Sequence, residues 1–247
     1  MAEIIQSVRS ALAVLDCFAD EEELGVTEVA QRLGVAKSSA HRLLTSLGTH
    51  GLVERSPESG RYRLGMHLYE LGQLAMARNR LRTVALPVLA DLRQRSGLSV
   101  QLAVPDGADV LYTERLETTL GVALMRRTGR RLPAHTTSSG KAIAAYNPAF
   151  AEACRRRGFA ARTPATLRTV EEFDRTLAET RRRHGAISFD EATMGIGSCA
   201  APIHGPAGEA LAAVSLVGPT EVFRARGGRY LKLVLAAAAT LSRVPVV

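Results

Sequence analysis

Tryptophan is absent from this 247-residue sequence, and aromatic residues make up only 4% of it. Because 46% of the residues are hydrophobic, the chain has ample apolar side chains for packed cores, but those cores must be mainly aliphatic. No run of about 18 apolar residues occurs, which argues against a membrane-spanning helix. A chain of this length is expected to form one large or two modest domains.

Cysteine is also scarce, with three residues, Cys17, Cys154 and Cys199, far apart in the sequence. An odd number at such wide spacing does not make a disulfide framework and is typical of a reducing compartment. The first residues show no basic segment followed by an apolar one. We therefore expect no secretory signal and a cytoplasmic protein.

Motifs for catalysis and for metal binding are missing as well. The segment from Ser139 to Ala142 shares part of a phosphate-binding loop, but His135 stands at its first glycine and Ala142 at its hydroxyl position. There is no Gly-x-Ser-x-Gly elbow, and the six histidines lack the spacing of metal ligands. We predict no catalytic residue, no metal and no cofactor, and hence that the protein is not an enzyme.

The net charge is +8, yet residues 1–64 carry seven Lys and Arg against nine Asp and Glu. Within this segment the charges are separated, because acidic residues occupy all of 20–23 while residues 31–63 hold six basic and two acidic ones. A nucleic-acid surface must therefore be found from the local pattern and not from the overall charge.

Residues 1–64 show the element order of a winged helix-turn-helix. The predicted elements are helices over 4–19, 28–33 and 37–50, followed by strands over 52–55 and 61–64 around a Pro/Gly turn. Thr27 is placed to cap the second helix, and Gly34 supplies a left-handed turn before the third. The order helix, helix, turn, helix, hairpin is the one that places a helix in the major groove of DNA.

The third helix carries leucines on one face and polar residues on the other. We predict that Ser38, Ser39 and His41 lie near bases and that the cations, including Arg61 and Arg63 on the second wing strand, contact phosphates. The residues predicted to bind DNA are Lys37, Ser38, Ser39, His41, Arg42, Thr45, Arg61 and Arg63. The alternative is an ordinary helix with a solvated polar face, and the neighbouring turn and hairpin favour DNA binding.

The remainder of the chain reads as an α+β domain around an antiparallel sheet. Strands are predicted over 99–104, 109–116, 121–125, 197–204 and 209–217, and helices over 65–80, 81–95, 138–146, 149–156, 170–184 and 221–242. The stripe Leu64, Leu68, Leu71 and Ala75 either packs within the chain or joins two copies. We favour a dimer, because two half-sites double the contacts with DNA.

Short segments along residues 4–245 together resemble the IclR family of bacterial transcription regulators. They are 7–12, 30–35, 38–44, 51–53, 62–65, 132–142, 185–190, 199–203 and 213–219. The resemblance implies a winged helix-turn-helix domain (1–64), a linker helix used in dimerisation (65–81) and a GAF-like effector-binding domain (82–247). It also implies a homodimer or homotetramer on double-stranded operator DNA, with a small organic acid as effector.

Four hydroxyls, on Thr136, Thr137, Ser138 and Ser139, precede a helix expected to start near Gly140, an arrangement suited either to an anion or to simple capping. Carried over from the family, the effector-binding residues are Ser138, Ser139, Asp190, Cys199 and Ser215, with an apolar wall of Val122, Leu124 and Leu132. Cys199 is alternatively a buried small hydrophobe.

Val217 departs from the family pattern, since some members carry a second serine two residues after Ser215. The two positions share one face of a strand, so losing a hydroxyl there favours a more apolar ligand, such as an aromatic or branched acid.

Together these features predict a sequence-specific DNA-binding transcription regulator, a repressor whose operator binding is modulated by a small organic acid. The alternative is an effector-blind or architectural DNA-binding protein with a degenerate pocket.

Overall fold

A computed structural model describes residues 5–119 and 129–244 of the chain. They form two compact units, one extending to Asn79 and the other beginning at Arg80. Within the described ranges, no helix combines the length and the apolar character needed to cross a bilayer.

The first unit is a helical bundle with a two-stranded antiparallel hairpin. In chain order its elements are α1 (Gln6–Asp16), α2 (Val26–Leu33), α3 (Lys37–Thr49), β1 (Val53–Arg55), β2 (Tyr62–Leu64) and α4 (Met66–Ala77). The core is mostly aliphatic, with Val14, Leu24, Val29 and Leu44 almost fully buried around Phe18. The predicted winged helix-turn-helix order is confirmed.

The turn between α2 and α3 depends on Gly34, which adopts a left-handed conformation with φ of 65°. This conformation lets the Val35 N–H donate to Ala30 O at 3.0 Å. The predicted cap of α2 is wrong, because the helix begins at Val26 and Thr27 lies inside its first turn. Glu28 instead reaches back, and its Oε2 accepts from the Gly25 N–H at 2.7 Å.

The second unit is a six-stranded antiparallel sheet with helices on both faces. Its elements are α5 (Arg80–Ser96), β3 (Ser99–Asp106), β4 (Asp109–Leu116), β5 (Arg131–Pro133), a 3₁₀ turn (Ala134–Thr136), α6 (Ser138–Tyr146), α7 (Pro148–Arg157), α8 (Val170–Arg183), β6 (Ala186–Phe189), β7 (Ile196–His204), β8 (Ala210–Pro219) and α9 (Thr220–Ser242). The strand order is β5-β4-β3-β8-β7-β6.

Side chains alternate between the two faces of this sheet, as the pleat of a strand requires. Along β8, Ala212, Val214 and Leu216 pack with residues of α5 and α9. Ala213 packs on the other face with residues of α6, α7 and α8. Odd-numbered β8 positions therefore point to the α6 side.

The expected α+β class is confirmed, and the predicted strands and helices of this unit match the observed ones closely. Two strands, β5 and β6, were not predicted from the sequence. With three and four residues they are too short to show an alternation of apolar and polar side chains. The strand predicted over 121–125 lies outside the described residues.

Candidate nucleic-acid interface and ligand cavity

Helix α3 presents its predicted polar face to solvent. The exposed residues are Lys37, Ser38, Ser39, His41, Arg42 and Thr45. On the opposite face Ala40 and Leu44 are fully buried and fix the helix to the core. Within residues 5–119 and 129–244, neither Lys37 nor Arg42 has an ion-pair or hydrogen-bond partner. Both cations are therefore available to an external anion.

The N-terminus of α3 also lacks internal compensation for its helix dipole. Ala36 is the N-cap residue and provides no side-chain cap, and the first turn contains no acidic residue. The backbone N–H groups there carry partial positive charge and favour an anion such as a phosphate.

The wing arginines are engaged within the first unit. Arg63 Nε donates to Glu54 Oε1 at 2.6 Å, and both side chains are about half exposed. Arg61 donates to Glu28 Oε2 at 2.7 Å and to Glu23 O at 3.1 Å. An exposed pair such as the first contributes little to stability, so Arg63 can exchange Glu54 for a phosphate.

Arg61 is placed differently from the sequence expectation, because it joins the wing to the N-terminus of α2. The Gly25 N–H, together with the Arg61 contact, lowers the pKa of Glu28. Both hydrogen bonds of Arg61, to Glu28 and to Glu23, are made by Nη2, which holds the guanidinium against the start of α2. Sequence periodicity could not anticipate this, since Glu28 lies 33 residues away.

A cavity of about 30 Å³ lies on the α6 side of the sheet in the second unit. Its described lining consists of Gln101, Tyr112, Arg115, Leu132, Thr136, Thr137, Ser188, Ala192, Thr193, Ile196, Ser198 and Val217. The volume suffices for about two water molecules. An organic acid therefore enters only if lining side chains move outward.

Several predicted effector residues lie at or beside this cavity. Leu132 and Val217 line it. Ser138 does not line it but donates from its Oγ to Ser198 Oγ at 2.8 Å, and Ser198 does. Ser215 occupies the same face of β8 as Val217. The predicted wall residues Val122 and Leu124 lie outside the described residues.

Ser139 and Ser215 have fully buried hydroxyl oxygens. Neither has a hydrogen-bond partner within 3.5 Å in the described part of the chain. Burial raises the pKa of the Tyr112 phenol, and the nearby Ser139 and Thr137 hydroxyls oppose that rise. Ser139 thus lies close to a cavity-lining phenol, although no short hydrogen bond joins them.

Two predicted effector residues are placed away from the cavity. Cys199 packs with the α5 and α9 cluster on the opposite face of the sheet, where burial raises the pKa of its thiol to about 12. The Asp190 carboxylate accepts from Thr220 Oγ1 and the Gly195 N–H, both at 2.7 Å. Cys199 is therefore the small buried hydrophobe of the alternative interpretation, and Asp190 fastens a loop to the start of α9.

The hydroxyl segment before α6 is used largely for local structure, and α6 begins at Ser138, before the expected start. Thr137 is its N-cap, accepting from the Gly140 N–H at 3.0 Å. A Cβ at Gly140 would lie 2.2 Å from Ala134 O, so a glycine is required for this packing. The capping interpretation holds for Thr137.

Arg115 is the only charged residue among the described residues that line the cavity. Its guanidinium lies 5.0 Å from the centre of the Tyr112 ring, and it donates to Gly129 O. Burial lowers its pKa from the usual value, but a guanidinium so shifted remains a cation at neutral pH. Arg115, Tyr112 and Gln101 were not among the residues predicted from the sequence to bind the effector. Their only indication in the sequence is that they are polar residues within the otherwise apolar strands β3 and β4.

A buried ion pair lies next to the cavity. Lys141 Nζ is 2.5 Å from Glu191 Oε1, and the two residues are only 1% and 8% exposed. The same Oε1 accepts from Ser188 Oγ at 3.0 Å, and Ser188 lines the cavity. Desolvation lowers the pKa of the Lys141 ammonium, and the Glu191 carboxylate opposes that shift. A cavity residue is thus connected to α6 through two hydrogen bonds.

Within residues 5–119 and 129–244, no group of three His, Cys, Asp or Glu side chains could hold a metal ion. Burial raises the pKa of the Cys154 thiol to about 11. A thiol with such a pKa is not a reactive nucleophile at neutral pH.

Both parts of the chain match family models. Residues 7–57 match the IclR helix-turn-helix domain, and residues 73–243 match the bacterial transcriptional regulator IclR C-terminal domain. The chain is 36% identical over 219 residues to the HTH-type transcriptional regulator XynR of Escherichia coli (strain K12), covering 86% of each protein. It is 30% identical over 220 residues to the transcriptional repressor IclR of the same strain, covering 87% of this chain and 80% of the repressor.

Solved structures agree with this match. An IclR homolog from Microbacterium hydrocarbonoxydans, complexed with 4-hydroxybenzoate, superposes with a TM-score of 0.83 and 28% sequence identity. The superposition covers 96% of this chain and 98% of the homolog.

Proposed function

The chain belongs to the IclR family of bacterial transcriptional regulators, and we propose that it represses transcription by binding a palindromic operator through α3 until an organic acid enters the cavity. The observation that carries this proposal is the free polar face of α3. That face carries two cations that have no partner among the described residues, three hydroxyls and an imidazole, and the helix N-terminus beside it has no side-chain cap.

DNA binding follows from the chemistry of this face. Lys37, Arg42 and the exchangeable Arg63 supply phosphate contacts, which set the register on the duplex without reading sequence. Ser38, Ser39 and His41 lie at the end of α3 that reaches base edges in a helix-turn-helix complex. Arg61 is left out of this set because it is held by Glu28 and Glu23.

Replacing Arg42 with alanine is expected to weaken binding to all DNA sequences alike. One phosphate contact would be lost, so the slope of log K against log salt falls in magnitude by about 1. Fluorescence anisotropy over a salt series with operator and unrelated duplexes measures this slope. Arg156→Ala removes the same charge from an exposed residue of the second unit and is the matched control.

An Arg42→Ala protein that keeps the wild-type slope would exclude the phosphate contact. A slope lowered equally in Arg156→Ala would mean that overall charge, and not the α3 face, governs binding.

We assign dimerisation to α4 and the residue before it. Of the predicted stripe, Leu64, Leu71 and Ala75 are exposed and Leu68 is partly so. Three further large apolar side chains on α4 are exposed: Met66, Tyr69 and Leu74. This is more apolar surface than one helix usually leaves to water, and a second copy of the chain would cover it.

Leu71→Glu is expected to convert the dimer into monomer at micromolar concentration, because it places a charge within the apolar interface. Sedimentation velocity measures the change, and Gln73→Glu, an exposed polar position on the same helix, is the control. A wild-type chain that sediments as a monomer, or a Leu71→Glu variant that stays dimeric, would remove α4 as the interface.

The effector proposal rests on the composition of the cavity. Arg115 offers a cation to a carboxylate, while Leu132, Ile196 and Val217 offer apolar surface to an aromatic or branched body. Ser138, Ser139 and Ser215 border the site with hydroxyls. Because the cavity is small, a ligand must displace the side chains that line it. This displacement would be the change through which the ligand alters DNA binding by the first unit.

A further inference from the structure

A groove of about 400 Å³ lies between α1 and α3 in the first unit. Its polar lining consists of Ser7 and Ser10 on α1 and of Ser39, Arg42 and Ser46 on α3. The other described lining residues are apolar, and no acidic side chain is among them. The groove therefore offers hydroxyls and one cation to a ligand, without a carboxylate to neutralise that cation.

The serine hydroxyls of this groove have protons to donate. A serine or threonine inside a helix can donate to the carbonyl of the residue four positions earlier, and Thr45 does so, with its Oγ1 2.8 Å from His41 O. Within residues 5–119 and 129–244, none of the four groove serines makes a side-chain hydrogen bond. Their hydroxyls, unlike that of Thr45, are available to a ligand in the groove.

The start of α1 adds to the positive character of the groove. Ser7 lies in the first turn of α1, which has no side-chain cap and contains no acidic residue. The backbone N–H groups of such a turn carry partial positive charge. A cation, hydroxyl donors and a helix start without a cap together favour an oxyanion, and phosphate groups are bound in this way.

The groove is continuous with the polar face of α3, because Ser39 and Arg42 belong to both. Ser39 and Ser46 are seven residues apart, which places them about 10 Å apart along the helix axis. A single phosphate ion does not span that length, whereas one strand of a duplex presents a series of phosphates. The occupant that fits the groove is therefore the sugar-phosphate backbone of the DNA that α3 binds.

We infer that α1 is a second DNA-contacting element, in which Ser7 and Ser10 donate hydrogen bonds to backbone phosphates while Arg42 and Ser46 hold the same strand from α3. This inference rests on the proposed DNA binding and deepens it. It adds three residues, Ser7, Ser10 and Ser46, that were not among those predicted from the sequence to bind DNA.

The double variant Ser7→Ala with Ser10→Ala tests the inference by fluorescence anisotropy of the full chain with an A·T-rich and a G·C-rich duplex at low salt. We expect about a tenfold loss of affinity for both duplexes, because two hydrogen bonds to phosphates are lost and neither reads a base. The slope of log K against log salt should stay at the wild-type value, since a hydroxyl carries no charge and releases no counterion. Alanine favours a helix, so thermal unfolding should be unchanged or slightly later.

A matched pair of charge variants tests the groove independently. Ser7→Glu adds a carboxylate to the groove, whereas Gln6→Glu adds one at the preceding residue of α1, which does not line the groove. Both residues are exposed and lie in the first turn of α1, so the new charge affects the helix dipole similarly. We expect Ser7→Glu to lose about tenfold more affinity than Gln6→Glu, because its carboxylate faces a phosphate.

The outcomes separate this inference from the proposed function. Wild-type affinity in the double alanine variant, a loss confined to one duplex, or equal losses in the two glutamate variants would overturn the contact by α1 and leave DNA binding by α3 in place. A wild-type chain that binds neither duplex would overturn the proposed function, and the inference would be lost with it.

Discussion

Replacing Lys141 with methionine is expected to lower the free energy of unfolding of the second unit by about 3–5 kcal/mol. The substitution keeps a long side chain but leaves Glu191 buried without its cation. An uncompensated buried charge costs much more than the intact pair contributes, because the attraction is lost and the desolvation remains. Urea denaturation followed by circular dichroism measures the change.

The double variant Lys141→Met with Glu191→Met is expected to recover most of this loss, since both charges then leave the interior. The control is Arg183→Met, which breaks the exposed pair of Arg183 with Glu179 at 2.5 Å on α8. Such a pair contributes at most about 1 kcal/mol. A Lys141→Met loss no larger than that of Arg183→Met would show that burial does not make the loss of the cation more costly than it is at the surface.

The pair of Lys141 with Glu191 could not be predicted from the sequence. Lys141 stood out only as part of an incomplete phosphate-binding motif, and its partner lies 50 residues further along the chain. A pattern of residue types reports which side chains share an element, whereas pairing across elements depends on how those elements pack. The same limitation applies to Arg61, whose charge suggested DNA but whose carboxylate partner comes from α2.

Cys199 and its neighbour Ser198 differ in environment because adjacent residues of a strand point to opposite faces of the sheet. The family resemblance favoured Cys199, but the register places Ser198 opposite Val217 and Cys199 opposite Leu216. Val217 lines the cavity, while Leu216 belongs to the α5 and α9 core. Choosing between adjacent residues requires knowing which face of the strand is covered by which helices, and one sequence does not contain that information.

By contrast, α3 was predictable because its pattern is local. Periodicity alone separated Ala40 and Leu44 from the polar residues, and the Gly34 turn fixed where the helix begins. The long strands of the second unit were found for the same reason, while β5 and β6 were too short to show their alternation.

The second large effect is expected from Ser38→Asp, which should reduce operator affinity on the order of 100-fold, because a carboxylate facing DNA phosphates costs several kcal/mol. The fold should not suffer. Ser38 is exposed in the first turn of α3, which has no acid of its own. An aspartate there stabilises the helix dipole by about 0.3–1 kcal/mol. Anisotropy and thermal unfolding measure the two effects separately.

Thr49→Asp adds the same charge at the other end of α3 and is the matched control, since Thr49 is also exposed. There the charge opposes the helix dipole, so stability should fall slightly, while operator affinity should fall much less than in Ser38→Asp. The two variants therefore predict opposite orders for stability and for DNA binding. Equal losses of operator affinity would mean that binding depends only on the total charge of the first unit. The N-terminal end of α3 would then not be the part of the helix that contacts the bases.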